Sequence, residues 1–146
     1  MKHIFSILSL LIGLAMLIGC GHKDPSHAEA EQGHDHVCGM AVTEWQDSLE
    51  LFAEWPHFVA GESSEAVLHF TDLRTFEPAT DGPLTVNWKR NNQVIKSDRA
   101  DRVARTGIFL MSLTPPPSGS YDLEFVLAGR DMAGTVVVFD VTVYPN

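Results

Sequence analysis

The chain has 146 residues, of which 45% are hydrophobic, and its formal net charge at pH 7 is −9. An acidic balance of this size opposes binding to nucleic acid and to anionic lipid, since both carry negative charge themselves. Residues 41–146 are enough for one domain with its own hydrophobic core. We therefore expect a small acidic protein with no nucleic-acid partner.

Residues 1–19 have the pattern of a lipoprotein signal peptide. Lys2 supplies a positive start, and the almost wholly apolar run 4–18 has the length of a signal-peptide core rather than of a membrane-spanning helix. The run ends in Leu17-Ile18-Gly19-Cys20, which resembles a bacterial lipobox. This predicts acylation of Cys20 and a periplasmic protein anchored in the inner or outer membrane. The alternatives are an uncleaved anchor and an ordinary secretory signal.

Residues 20–41 are predicted to be the lipidated cysteine followed by a flexible, disordered, histidine-rich tether. Positions 21–37 contain almost no large apolar side chains, so they bury too little surface to offset the entropy lost on ordering. Once Cys20 is acylated, Cys38 is the one remaining thiol, and no internal disulfide can form. The fold is therefore expected to rest on its hydrophobic core.

The tether also carries candidate metal ligands. These are His22, His27, His34, His36, Cys38 and Met40. The last four alternate with other residues, so an extended backbone would place them on one face. Imidazole, thiol and thioether donors suit Cu(I), Ag(I) or Zn(II) rather than Mg²⁺ or Ca²⁺, although the spacing matches no closed structural zinc motif. We expect a transient heavy-metal site and no required cofactor; the alternative is a solvated linker that binds no metal.

Residues 42–146 are predicted to form an all-β domain, because apolar and polar residues alternate in short segments between turn signals. The segments are 45–55, 66–71, 84–89, 108–113, 121–127 and 135–144. In the first, Trp45, Leu49, Leu51, Ala53 and Trp55 are expected to share one face, with Glu50 and Glu54 on the other, and Asn91-Asn92 favours a tight hairpin turn. Six or seven strands of this length predict a two-sheet antiparallel sandwich.

Two aromatic residues favour an immunoglobulin-like version of this β-sandwich. Trp88 falls on a central strand, where such folds often bury an indole, and Tyr121 opens a late strand, as the residue of a tyrosine corner does. A tyrosine of that kind donates its hydroxyl hydrogen to nearby backbone. The alternative is that both are ordinary core aromatics.

Catalytic motifs are absent from the sequence. There is neither a nucleophile elbow nor a glycine-rich phosphate loop. Asp72, Glu77 and Asp81 lie in one connection that is expected to be solvated, whereas an acid/base pair needs burial to raise one pKa. His57 and His69 are expected to be surface or loop histidines. The sequence does not predict an enzyme.

Several phrases of the chain resemble the amino-terminal region of periplasmic adaptor (membrane fusion) subunits of resistance-nodulation-division heavy-metal efflux pumps. They are Leu-Phe-Ala-Glu-Trp-Pro at 51–56, Val-Ala-Gly-Glu at 59–62, His-Phe-Thr-Asp-Leu-Arg-Thr-Phe-Glu-Pro at 69–78, Arg-Thr-Gly-Ile-Phe at 105–109 and Thr-Val-Tyr-Pro at 142–145. Cys38-Gly39-Met40 is similar to the Cys-Pro-Met-His element of small heavy-metal-binding modules, with Gly39 and Ala41 as departures. The resemblance implies a role in metal efflux, with pump components as partners.

Adaptors of this kind continue through further domains, so the chain is expected to be either a fragment of an adaptor or a free-standing relative of one domain. The segment 115–143 also resembles YtkA-like and FixH-like modules, which are exported and associated with copper handling or oxidase assembly. A third alternative is a lipoprotein domain that docks a protein partner without any metal.

Overall fold

The computed structural model describes residues 39–146, and every regular element in this range is a β-strand. The strands are β1 Gly39–Gln46, β2 Leu49–Pro56, β3 Phe58–Val59, β4 Ser64–Asp72, β5 Glu77–Pro78, β6 Leu84–Arg90, β7 Gln93–Ala100, β8 Ile108–Leu113, β9 Gly119–Ala128 and β10 Ala133–Tyr144. They form two five-stranded sheets. The expected all-β class is confirmed.

The two sheets have different strand orders. In sheet A the order is β1-β2-β4, and both β5 and β8 pair with the far side of β4. In sheet B the order is β3-β10-β9-β6-β7. Every pairing is antiparallel except the short parallel contact between β3 and β10. Several neighbouring strands, such as β4 and β8 or β6 and β9, are distant in sequence. The two sheets bury their inner faces by packing against each other.

One hydrophobic core lies between the sheets. Trp55 of sheet A stacks against Phe125 of sheet B with ring centroids 6.4 Å apart, and Phe58 meets Trp88 edge-on at 4.9 Å. Trp88 is fully buried, and its indole Nε1 donates a hydrogen bond to Asp98 Oδ2 at 2.9 Å. Burying a large apolar side chain stabilises a fold by about 1.5–3 kcal/mol. The arrangement is that of a β-sandwich, and Trp88 lies at its centre as expected.

Tyr121 makes the hydrogen bond expected of a tyrosine corner. Its ring is buried, and its hydroxyl donates to the carbonyl oxygen of Pro117 at 2.7 Å. The guanidinium of Arg90 lies 4.1 Å from the centre of the ring. The start of β9 is therefore fixed both to the preceding proline turn and to the end of β6.

The segment 45–55 is not the single strand that the alternation predicts. It is a hairpin, in which β1 and β2 are joined at Asp47 and Ser48, and Asp47 has a positive φ of 55°. Trp45 pairs with Glu50 across the hairpin, so its indole faces outward and is 61% exposed. The prediction that Trp45 shares a face with Leu49, Leu51, Ala53 and Trp55 is wrong, because a turn separates Trp45 from β2 and the register places it opposite Glu50.

Strand β1 begins at Gly39, ahead of the expected domain start at residue 42. The signal peptide 1–19, the acylation site and most of the candidate ligands lie outside the described residues. The ligands in question are His22, His27, His34, His36 and Cys38, and the acylation site is Cys20. Within residues 39–146, no helix is long and apolar enough to cross a membrane.

Candidate functional site

Met40 is the one predicted metal ligand that lies within the described residues. It is the second residue of β1 and stands opposite Trp55 in the register with β2. Residues directly opposite each other in an antiparallel pair share a face, so Met40 lies on the inner side of sheet A. The side chain is nevertheless 45% exposed, because β1 is an edge strand and Met40 lies near its end.

The exposed part of Met40 lines a groove of about 150 Å³ between the two sheets, which we call the Met40 groove. Its walls are Met40, Val42, Trp55, His57, Phe58, the segment 138–142 and Tyr144. Most of these side chains are apolar or aromatic. The groove is therefore an opening in the side of the sandwich where β1 and β10 meet.

A β-bulge in β10 shapes one wall of this groove. Phe139 and Asp140 together stand opposite the single residue Asp122 of β9, where the register of the two strands shifts. Asp140 has a positive φ of 57°, and its backbone N–H donates to Asp122 Oδ1 at 3.3 Å. Bulges bend and twist a strand locally. In this one Phe139 points away from the core and is 68% exposed.

His57 is the second side chain of the groove that can donate to a metal. It is the single residue between β2 and β3, and it is exposed. Its ring meets that of Tyr144 edge-on, with the ring centroids 5.7 Å apart. Met40 and His57 thus bring one thioether and one imidazole to the same groove, a pair that suits soft and borderline metal ions. In residues 39–146 no cluster of three or more His, Cys, Asp or Glu side chains could hold a metal by itself.

The carboxylates of the β4–β6 connection differ from the solvated loop that the sequence predicts. Asp72 is buried, with 5% of its surface exposed, and it accepts hydrogen bonds from Arg74 at the backbone N, Nε and Nη2. These hydrogen bonds hold the pKa of Asp72 at about 2. Asp81 accepts from the backbone N–H and Nε of Arg130, which also lowers its pKa. Both carboxylates stabilise turns, and neither has the raised pKa of a general acid.

His69 and Glu77 lie apart from the Met40 groove. His69 is half-buried on the outer side of sheet A, where its ring lies 5.5 Å from that of Phe52. Glu77 is exposed at the start of β5. The five side chains Asp72, Glu77, Asp81, His57 and His69 are therefore not brought together into one catalytic arrangement.

The groove as a whole is not predicted from the sequence. His57 and Tyr144 meet because β3 pairs in parallel with the end of β10, and such a long-range pairing leaves no periodic signal. The phrase Trp55-Pro56-His57-Phe58 gives a partial clue, since a proline after a buried tryptophan marks the end of a strand next to the histidine.

Comparisons with protein-family models, curated proteins and solved structures found no match to this chain.

Proposed function

We propose that this chain is a membrane-anchored periplasmic module that handles heavy-metal ions, built on an immunoglobulin-like β-sandwich. One observation carries the proposal: Met40, the last of the donors His34, His36, Cys38 and Met40 that alternate in the sequence, lies in the same groove as His57. His57, which is distant from the tether in sequence, is therefore one further candidate ligand beside Met40.

Cys38 and Met40, on either side of Gly39, are close enough to bind one metal ion together. Successive Cα atoms are 3.8 Å apart, so the Cα atoms of two residues separated by one other are at most about 7 Å apart in an extended chain. Thiolate and thioether sulfur favour Cu(I) and Ag(I), whereas imidazole nitrogen suits Zn(II). A two-coordinate or three-coordinate soft ion would find its sulfur ligands here, with His57 or a tether histidine as the nitrogen donor.

The wider context of the proposal comes from the sequence resemblance. An acylated Cys20 would hold the domain at a membrane surface, and efflux-pump components would be its partners in heavy-metal transport. The Tyr121–Pro117 hydrogen bond and the buried Trp88 favour the immunoglobulin-like form. A free-standing module similar to YtkA-like or FixH-like proteins would use the same ligands for copper, so metal binding is common to both readings.

Metal titration tests the proposal. Residues 21–146 should bind Cu(I) or Ag(I) under reducing conditions, and the same protein without 21–38 should bind far more weakly. The deletion ends at Cys38 because β1 begins at Gly39, so the fold keeps its edge strand. Equal, millimolar-range binding by the two proteins would contradict a metal function.

Point variants sharpen that test. Cys38→Ser should weaken Cu(I) binding more than the pair His34→Ala, His36→Ala, and the order should reverse for Zn(II), whose binding weakens below about pH 6 as imidazoles protonate. Met40→Leu should weaken Ag(I) binding, while the matched control Met132→Leu should not, since Met132 is buried and does not line the groove.

The anchor has its own measurement. In a bacterial host the wild-type chain should partition with membranes, and Cys20→Ala should lose the acyl mass in intact-mass spectrometry. A mature protein that begins at a residue other than Cys20 would contradict acylation.

A further inference from the structure

We infer that the outer face of sheet A is a docking surface for a basic amphipathic helix of a partner protein. This inference is independent of metal binding. It rests on three properties of the face: its apolar centre, its one-sided charge, and a depression lined by two glutamates.

The centre of this face is apolar and spans three strands. The registers place Phe52, His69 and Ile108 in one cross-strand row, and Glu54, Val67 and Leu110 in the next. Leu110 is 45% exposed and Glu54 is exposed, and the other four are partly exposed. The apolar side chains Phe52, Val67, Ile108 and Leu110 are thus neighbours on one sheet face rather than scattered singly, and contiguous exposed apolar patches are typical of interaction sites.

The charge on sheet A has a single sign. Its strands carry six acids and no lysine or arginine. Glu50, Glu54 and Glu65 lie on the outer face, whereas the registers place Glu44, Asp72 and Glu77 on the inner side. All eight lysines and arginines of residues 39–146 lie in sheet B or in connecting segments. A partner that complements this face must bring its own positive charge. Nucleic acid, anionic lipid and a second copy of the same face are disfavoured for that reason.

Two of the glutamates line a depression beside the apolar centre. The depression is open and measures about 500 Å³, and Ala41, Glu54, Pro56, Glu65 and Val67 are among its lining residues. Its walls are mostly apolar, and both carboxylates are exposed. Lysine and arginine have an apolar stem and a charged end. The depression therefore suits such a side chain, with the stem against Val67 and the cation between the glutamates.

The dimensions of the face fit one helix. Four long strands at about 4.8 Å spacing place the outer two roughly 14 Å apart, and six or seven residues of strand extend about 20 Å. A helix is about 10–12 Å across, and roughly 14 residues of it span 20 Å. A helix laid along the strands would cover the two apolar rows, with its basic flank over Glu54 and Glu65.

Trp45 supplies an internal reporter for the test. The chain has three tryptophans, of which Trp55 and Trp88 are buried while Trp45 lies on this face, its Nε1 donating to Glu50 Oε2 at 2.8 Å. The probe is a synthetic helix of about 14 residues made only of leucine and lysine. The full chain is held in phosphatidylcholine nanodiscs, with empty nanodiscs as the reference. Docking should shift the Trp45 emission to shorter wavelength, and the binding should weaken with salt.

Charge reversal at the depression decides the location. The double variant Glu54→Lys, Glu65→Lys should weaken binding of the leucine–lysine helix by about tenfold or more, since it reverses both charges at the contact. The matched control Glu62→Lys, Asp131→Lys makes the same change of net charge in two loops and should have a much smaller effect. A leucine–glutamate helix should not bind. Leu110→Ala, checked for folding by circular dichroism, should weaken binding without changing charge.

Three results would overturn the inference. One is an equal loss in the two double variants, which would mean that only net charge matters. Another is binding that leaves the Trp45 emission unchanged. The third is self-association in sedimentation experiments that buries Trp45, which would make a second copy the occupant. A failure of metal binding would leave all of these measurements unaffected.

Discussion

The two sheets of this domain differ more on their outer faces than on their inner ones. The strands of sheet B carry four basic residues and four acids, a net charge of 4 − 4 = 0, whereas those of sheet A carry 0 − 6 = −6. Three of the six acids, Glu50, Glu54 and Glu65, lie on the outer face of sheet A. In both sheets the central strands alternate buried residues with more exposed ones, as β2 and β4 do in sheet A and β6 and β9 in sheet B. The alternation thus determines which residues face the core, but it does not determine whether the outward residues are charged, polar or apolar.

On the outer face of sheet B, polar and charged side chains form hydrogen bonds with one another. Glu124 on β9 accepts hydrogen bonds from Lys89 Nζ at 2.7 Å and from Asn87 Nδ2 at 2.9 Å on β6, and Ser97 on β7 donates to Asn87 Oδ1 at 2.7 Å. This chain of contacts joins three strands. On sheet A the corresponding rows consist of apolar side chains and glutamates, which points to a structural role for one face and an external partner for the other.

The largest expected difference is between a tryptophan of the core in sheet B and the tryptophan on the outer face of sheet A. Trp88→Ala should lower the free energy of unfolding by roughly 3–5 kcal/mol, because it empties a fully buried site in sheet B. Trp45→Ala on the outer face of sheet A should cost within about 0.5–1 kcal/mol. Urea denaturation measures both. Similar costs for the two variants would mean that Trp45 belongs to the core after all.

Most of the strands could be predicted from the alternation alone. The segments 66–71, 84–89, 108–113, 121–127 and 135–144 each fall within an observed strand. The alternation was misleading at Asp47 and Ser48, because neither glycine nor proline marks that turn. It also did not define β7, where Val94 and Ile95 are adjacent apolar residues, both exposed, near a register shift between Trp88 and Lys89.

The features that depend on long-range contacts could not be predicted. The burial of Asp72 follows from its hydrogen bonds with Arg74 inside a turn, and residue type alone suggests a solvated carboxylate. The Met40 groove requires β3 and β10 to meet, and the charge asymmetry of the sheets requires their strand order. By contrast, the Tyr121 corner was predictable because its hydrogen bond is local, to a residue four positions earlier.

The second prediction concerns Asp72, the one buried acid of sheet A. Its pKa of about 2 lies below the ordinary 3.8, so its hydrogen bonds with Arg74 stabilise the fold fully above about pH 4 and this contribution is lost as pH falls through 2. Asp72→Asn should therefore show a shallower loss of unfolding free energy between pH 4 and 2 than the wild type. Arg74→Met should flatten the same region, since it removes the cause of the shift. Denaturation curves with unchanged acid slopes in both variants would contradict this.

The third prediction tests the corner that fixes sheet B to the proline turn. Tyr121→Phe removes the hydroxyl that donates to the carbonyl oxygen of Pro117 and should cost about 1 kcal/mol of unfolding free energy. Tyr144→Phe is the matched control, since Tyr144 is 47% exposed and should change stability by less than about 0.5 kcal/mol. Equal effects of the two substitutions would mean that the Tyr121–Pro117 hydrogen bond does not stabilise the fold.

The smallest expected effect is on the free energy of unfolding when one acid on each outer face is replaced, Glu124 on sheet B and Glu54 on sheet A. A double-mutant cycle with Lys89→Met and Glu124→Gln should give a coupling of roughly 0.5–1 kcal/mol, because the pair is only partly exposed, with side-chain accessibilities of 18% and 21%. The coupling should shrink in high salt. Glu54→Gln on sheet A should leave stability unchanged or raise it slightly, since it removes one charge from a face that has no base. A cost at Glu54 as large as at Glu124 would show that sheet A depends on its glutamates for folding, and that their charge is not reserved for a partner.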